Sequence, residues 1–145
     1  MSNAGPRYSR DVAIPSDSAE ARRVQEEIER QLKECQYSER EIFSVKLALE
    51  EALVNAIKHG NQFDRNKKVR IAYNVEPERF DILITDEGCG FDPTEVPDPT
   101  AVENLERPCG RGLMLMRYYM NEVSFSPTGN SVFMMKLRNG TNNSP

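Results

Sequence analysis

The chain has 145 residues, which suits one domain with one hydrophobic core. Its 38% hydrophobic and 29% charged residues are ordinary for a globular protein, and a formal charge of −4, with only the short "NKKVR" as a basic run, offers no face for direct nucleic-acid binding. No run approaches ~18 consecutive apolar residues and no secretion signal opens the chain, so neither a membrane span nor export is expected; three scattered cysteines without a C-x-x-C pair fit reduced thiols in a cytoplasm.

Residues 1–7 read as a flexible start. Tyr8, Arg10, Val12 and Ile14 alternate and predict a short first strand. A helix follows, capped by Asp17 or Ser18, with Ala21, Val24, Ile28, Leu32 and Cys35 as its apolar stripe. "SERE" at 38–41 resembles a capping signal and predicts a second helix running to about His59, with Gly60 as its stop. "KVRIAYNV" and "RFDILITD" predict an antiparallel hairpin turned at "EPER". The segment from Glu87 to Gly112 holds four prolines and little periodicity, as lids and binding loops often do. "LMLMRYYMNEV" predicts a third helix, with Met114 and Met116 as packing, and "VSFS" and "SVFMMKL" a closing hairpin around "PTGN". Residues 139–145 read as a disordered tail. This order predicts an α+β fold, with helices packed on one face of a mainly antiparallel sheet.

The second helix carries an awkward polar row. Unrolled at ~100° per residue, it places Ile42, Val45, Leu49, Ala52, Leu53 and Ala56 on the side facing the sheet. Glu51, Asn55 and Lys58 cluster on the other side, beside Leu47, Ala48 and Val54. An exposed face explains this row, and so does a phosphate site. In the second case the Asn55 carboxamide oxygen can ligate Mg²⁺, and the Glu51 carboxylate can accept a proton from an attacking hydroxyl or water. Lys58 is either a counter-charge to phosphate or a solvated lysine. His59, the only histidine, suits a helix C-terminus when protonated.

Two glycine motifs follow. "DEGCGF" sets Asp86 at the end of an apolar strand before Gly88 and Gly90, and "GRGL" puts Gly110 and Gly112 at a helix start, where free N–H groups suit an anion. No G-x-x-x-x-G-K-[ST] loop is present, which excludes a P-loop mechanism. Taken in order, E-x-x-x-N-A-x-x-H-G, D-x-G-x-G-F and G-x-G-L resemble the N, G1 and G2 boxes of the GHKL ATPase family. The resemblance spans about residues 8–138. Within that family the chain looks most like the small anti-sigma factor serine kinases of the RsbW and SpoIIAB type.

The resemblance implies a two-layer α/β sandwich of the Bergerat type, a nucleotide-binding domain over 8–138 and an ATP lid over about 91–111. It implies ATP and Mg²⁺ as cofactors, with Glu51 as general base and Asn55 as the metal ligand. Asp86 matches the acceptor for the adenine amino group, Gly88 and Gly90 the glycines beside the nucleotide, and Gly110 and Gly112 those at the phosphate end of the lid. Arg107 or Arg111 could brace the γ-phosphate or lie at the surface, and Ser131 falls where related proteins have a hydroxyl near the adenine. The implied partners are a sigma factor and a STAS-like anti-sigma-factor antagonist, the latter phosphorylated on serine or threonine, with a homodimer as the suggested assembly. A nucleotide-sensing binding module without kinase activity would need the same pocket.

Overall fold

The computed structural model describes residues 6–88 and 108–138. Of the expected flexible start, lid and tail, residues 1–5, 91–107 and 139–145 lie outside the described residues, as do Cys89 and Gly90.

Five strands form one sheet: β1 (Tyr8–Pro15), β2 (Lys68–Val75), β3 (Arg79–Thr85), β4 (Glu122–Phe125) and β5 (Ser131–Leu137). Their order is β1-β2-β3-β5-β4 and every neighbouring pair is antiparallel. Alternation decides which face is covered. Val69, Ile71, Tyr73 and Val75 are buried while Arg70 points to solvent, and Phe80, Ile82 and Ile84 repeat the pattern on β3. Register joins these positions into continuous rows, Ile71–Ile84–Val132 and Tyr73–Ile82–Met134, on which the helices pack. The fold is the predicted α+β sandwich.

Helix α1 (Ser18–Glu34) buries the predicted stripe of Ala21, Val24, Ile28 and Leu32. Asp17 caps it, accepting the Ala19 N–H at 2.9 Å. Cys35 follows the helix as a buried free thiol. Helix α2 (Glu39–Val54) opens on a complete capping box: Ser38 Oγ accepts the Glu41 N–H at 3.0 Å, and Glu41 Oε1 accepts the Ser38 N–H at 2.8 Å. Replacing Ser38 by alanine removes one half of this exchange and is expected to cost about 1 kcal/mol, read as a lower urea midpoint at unchanged slope.

The second helix does not run unbroken to His59. After Val54 the chain widens into a π-helical turn, Asn55–Gly60. The Asn61 N–H reaches back five residues to the Ala56 carbonyl at 2.8 Å, and the Phe63 N–H to that of Ile57 at 2.8 Å. Gln62 and Phe63 then take left-handed backbone angles, φ 54° and 59°, which turn the chain toward β2. Such single π turns are rare and recur at functional sites.

Helix α3 (Pro108–Tyr119) starts earlier than predicted, so Gly110 and Gly112 lie within its first turns rather than ahead of it. It buries Leu113 and Met116 and half-buries Met114, as packing residues. It also ends earlier. Lys136 Nζ donates to the Tyr119 carbonyl at 3.0 Å, and Asn121 Oδ1 accepts the Leu137 N–H at 2.8 Å, so residues 122 and 123 join β4. Helix α3 packs along α2. Ala48, placed beside the polar row by unrolling the helix, is fully buried, whereas its neighbour Val54 is exposed, so the flank opposite the sheet is covered only in part.

Candidate active site

A cavity of roughly 320 Å³ opens where the π turn, the end of β3, α3 and the β4–β5 turn converge. Ala52, Ile84, Met116 and Val132 give it apolar walls. Its polar side chains are those of Asn55, His59, Gln62, Lys67, Asp86, Asn130 and Ser131. The volume and the few converging polar groups are those of a small-molecule site.

Asp86 leaves β3 at the cavity floor. Its backbone is clamped to the β4–β5 turn: its N–H donates to the Asn130 carbonyl at 2.9 Å, and Asn130 Nδ2 donates to the Asp86 carbonyl at 3.1 Å. Its Oδ1 accepts the Gly88 N–H at 2.8 Å, and no other side chain of the described residues bonds to the carboxyl. Burial pushes this carboxyl above its usual range, against the Gly88 N–H and the Lys67 charge, which favour ionisation. Next to it, the Thr85 and Ser131 hydroxyls share a hydrogen bond of 2.8 Å.

Two glycines make this geometry possible. A Cβ on Gly60 would stand 2.4 Å from Asp86 Cγ, and one on Gly88 only 1.9 Å from the Gly60 carbonyl oxygen. The loop after β3 and the π turn therefore touch backbone to backbone. Gly88, matched to a glycine beside nucleotide, is thus required first by Gly60. Gly88→Ala forces these two segments apart and is expected to cost about 1–3 kcal/mol, checked by thermal unfolding without ligand.

Glu51 and Asn55 are half-buried, and the reason lies on α3. A Cβ on Gly112 would be 3.0 Å from both Asn55 Nδ2 and Glu51 Oε1, so glycine there lets α3 close against the row. Asn55 faces the cavity. Glu51 lines the neighbouring groove, roughly 620 Å³, between α1 and α2. Lys58 is exposed and lines that groove too, outside the cavity, so the structure does not bring it to Asp86 and Asn55. His59, read as a helix-end cation, instead lines the cavity, and burial with the adjacent Lys58 charge pushes its imidazole toward the neutral form. Ser131 also lines the cavity. Gly110 and Arg111 belong to the first turns of α3, whereas Gly90 and Arg107 lie outside the described residues.

Lys67, Asn61 and Asn130 carry no sequence signal of comparable strength. Asn61 and Asn130 sit in turns, where asparagine is common for local reasons. Their contacts across the chain emerge only from the fold.

The donor set fits an adenine nucleotide. Apolar walls suit a flat ring, and a single carboxylate at the floor suits an exocyclic amine. Among the described residues no group of three or more His, Cys, Asp or Glu side chains is gathered to hold a metal. Mg²⁺ commonly takes only one or two protein oxygens beside phosphates and water, and the Asn55 carboxamide is one such donor.

Residues 14–136 match the family model described as the histidine kinase-like ATPase domain. The serine-protein kinase RsbW of Bacillus subtilis (strain 168) is 34% identical over 113 residues, covering 72% of this chain and 69% of that protein. The anti-sigma F factor of Halalkalibacterium halodurans is 35% identical over 102 residues, with 66% and 69% covered. The serine/threonine-protein kinase BtrW of Bordetella bronchiseptica is 29% identical over 91 residues, with 61% and 64% covered. With the antiparallel sandwich and a cavity joining the end of α2 to the end of β3, these matches place the chain in the histidine kinase-like ATPase family.

Proposed function

We propose that this protein is an anti-sigma factor kinase: it binds Mg·ATP in the cavity and transfers the γ-phosphoryl group to a serine or threonine of a STAS-like antagonist. The observation that carries the reading is the convergence of Asn55 and Asp86 on one cavity, with Glu51 one turn from Asn55 and Gly112 packed on both. Asp86 would accept from the adenine amino group, with Ser131 beside it. Asn55 would offer its oxygen to Mg²⁺, which supplies charge neutralisation at the phosphates.

Glu51 lines the α1–α2 groove one turn from Asn55, and in this reading the protein substrate would approach from that groove. Its carboxylate would take the proton of the serine hydroxyl as that oxygen attacks phosphorus and ADP departs. Gly110–Gly112 at the start of α3 would border the phosphates, Arg111 beside them in the same turn, while Gly90 as a glycine beside the nucleotide and Arg107 as a lid residue are assigned by motif alone. A sigma factor is the sequestered partner in this reading, a homodimer its assembly, and the cytoplasm its place. No described helix is long and apolar enough to cross a membrane.

The test uses γ-labelled ATP, Mg²⁺ and a STAS-domain antagonist from the same organism. Label on an antagonist serine or threonine is the expected result. ATP-dependent capture of a partner without label would make the protein a nucleotide-sensing binding module instead. A melting temperature unmoved by ATP would reject both, because a ligand at 100 times its Kd stabilises by about 2.7 kcal/mol.

A further inference from the structure

Asn61 is fully buried, and each polar group it owns is engaged. Its Nδ2 donates to Ser16 Oγ at 2.9 Å and to the Lys68 carbonyl at 3.0 Å, while its Oδ1 accepts the Glu87 N–H at 2.8 Å. Its own N–H closes the π turn on Ala56. One side chain therefore ties four segments together: the β1–α1 junction, the π turn that begins with Asn55, the start of β2, and the loop that carries Asp86. Ser16 Oγ in turn donates to the Lys67 carbonyl at 2.8 Å, and Lys67 lines the cavity.

Asp86 itself has little to hold it in place. Among the described residues its carboxyl bonds only to the Gly88 N–H within its own loop, so its position is set by the backbone. Asn130 fixes that backbone on the β5 side. On the other side, where Gly88 and Gly60 touch, the Glu87–Asn61 hydrogen bond fixes it. The task requires one acceptor and two donors in a single short planar group. Aspartate has no donor when ionised, serine has one, and glutamine is a methylene longer.

We propose that Asn61 is the positioning residue for base recognition, holding the Asp86 loop against the π turn so that the carboxylate meets the 6-amino group of adenine. This rests on the reading that Asp86 accepts from adenine. Asn61 touches no nucleotide; it acts through Asp86. A residue that supports only overall stability would weaken all nucleotides alike. A positioning residue for Asp86 weakens ATP selectively against inosine triphosphate, which carries a carbonyl in place of that amine.

The experiment measures Kd for ATP and for inosine triphosphate, with Mg²⁺, on the 145-residue chain and its variants, alongside thermal unfolding. Wild type should prefer ATP by about tenfold or more, as expected when a buried acceptor is left unpaired by the wrong base. Asn61→Ala should remove most of that preference, raising the ATP Kd several-fold more than the inosine value, because any slackening of the turn at Asn55 reaches both nucleotides through the phosphates while the lost amine contact touches ATP alone. In an Asp86→Ala background, Asn61→Ala should cause no further loss of preference. If Asn61→Ala does not melt cooperatively, Ser16→Ala carries the test and should lower the preference about threefold, through one lost partner of the network. Preference kept at the wild-type ratio in the folded variants, or equal weakening of both nucleotides, overturns the proposal while leaving the ATP site intact. Equal wild-type affinity for the two nucleotides overturns base reading at Asp86, and this proposal with it.

Discussion

Replacing Glu51 by glutamine is expected to slow phosphoryl transfer about 10²- to 10⁴-fold while leaving ATP affinity within about threefold of wild type. The two effects separate because Glu51 and the base-binding groups face different spaces. Asp86, Ser131 and the apolar walls line the cavity, whereas Glu51 lines the adjoining groove between α1 and α2. Glutamine is the informative substitution. It keeps the side-chain volume that packs on Gly112, where the Glu51 oxygen lies 3.0 Å from the place a Cβ would occupy. Alanine would open the α2–α3 contact as well as delete the base, mixing a packing loss with a chemical one. Labelled phosphate on the antagonist reports the transfer, and the ATP-dependent rise in melting temperature reports the binding. Transfer at the wild-type rate would remove Glu51 from the mechanism. Loss of binding with loss of transfer would make it part of the nucleotide site instead.

The contrast between Glu51 and Lys58 shows what helical spacing could convey. Both belong to a polar row that periodicity displays plainly, but the row divides in the fold. Its first two members are half-buried under α3, and Lys58 is exposed. What covers Glu51 and Asn55 is Gly112, more than fifty residues away in sequence, so no local pattern could distinguish a covered polar row from a solvated one. The change from α to π geometry at Asn55 is hidden for a similar reason. Asn55–Gly60 carries no proline or insertion that would announce the widening, and it is the buried Asn61, bonded to Ser16, Lys68 and Glu87, that anchors the wider turn.

Strands, caps and the apolar stripe of α1 were legible because their causes are local: alternation, Asp17 and the Ser38–Glu41 exchange. The start of α3 was less so. Proline at 108 suits a first helical position, but two glycines soon after read as a loop. The motif order E-x-x-x-N, D-x-G-x-G, G-x-G-L carried the family assignment that no single motif could. The reason for individual glycines lies in contacts that only the fold creates. Gly60 was read only as a helix stop, yet its lack of a Cβ is what makes room for the Asp86 carboxyl.

Asp86→Asn is expected to weaken ATP binding by about 10- to 150-fold, the worth of a hydrogen bond to a charged acceptor at ~1.5–3 kcal/mol, without a matching loss of stability. The carboxylate has two oxygens to offer, and Oδ1 is already engaged by the Gly88 N–H. An amide has a single oxygen. If it keeps the Gly88 bond, its NH₂ confronts the adenine amine; if it flips, it confronts Gly88. Stability runs the other way. Burial raises the Asp86 carboxyl above its ordinary value of 3.8, so its contribution to folding is full below that value and is lost as pH rises through the raised one. Asparagine is neutral throughout and does not suffer this loss. The melting temperature of the Asp86→Asn variant should therefore gain on wild type between acid and neutral pH, while ATP affinity of the wild type should fall as the pH is lowered through the raised value. Parallel pH profiles for the melting of the two proteins would show that ionising Asp86 costs the fold nothing. ATP binding undiminished in the variant would take the adenine contact away from Asp86.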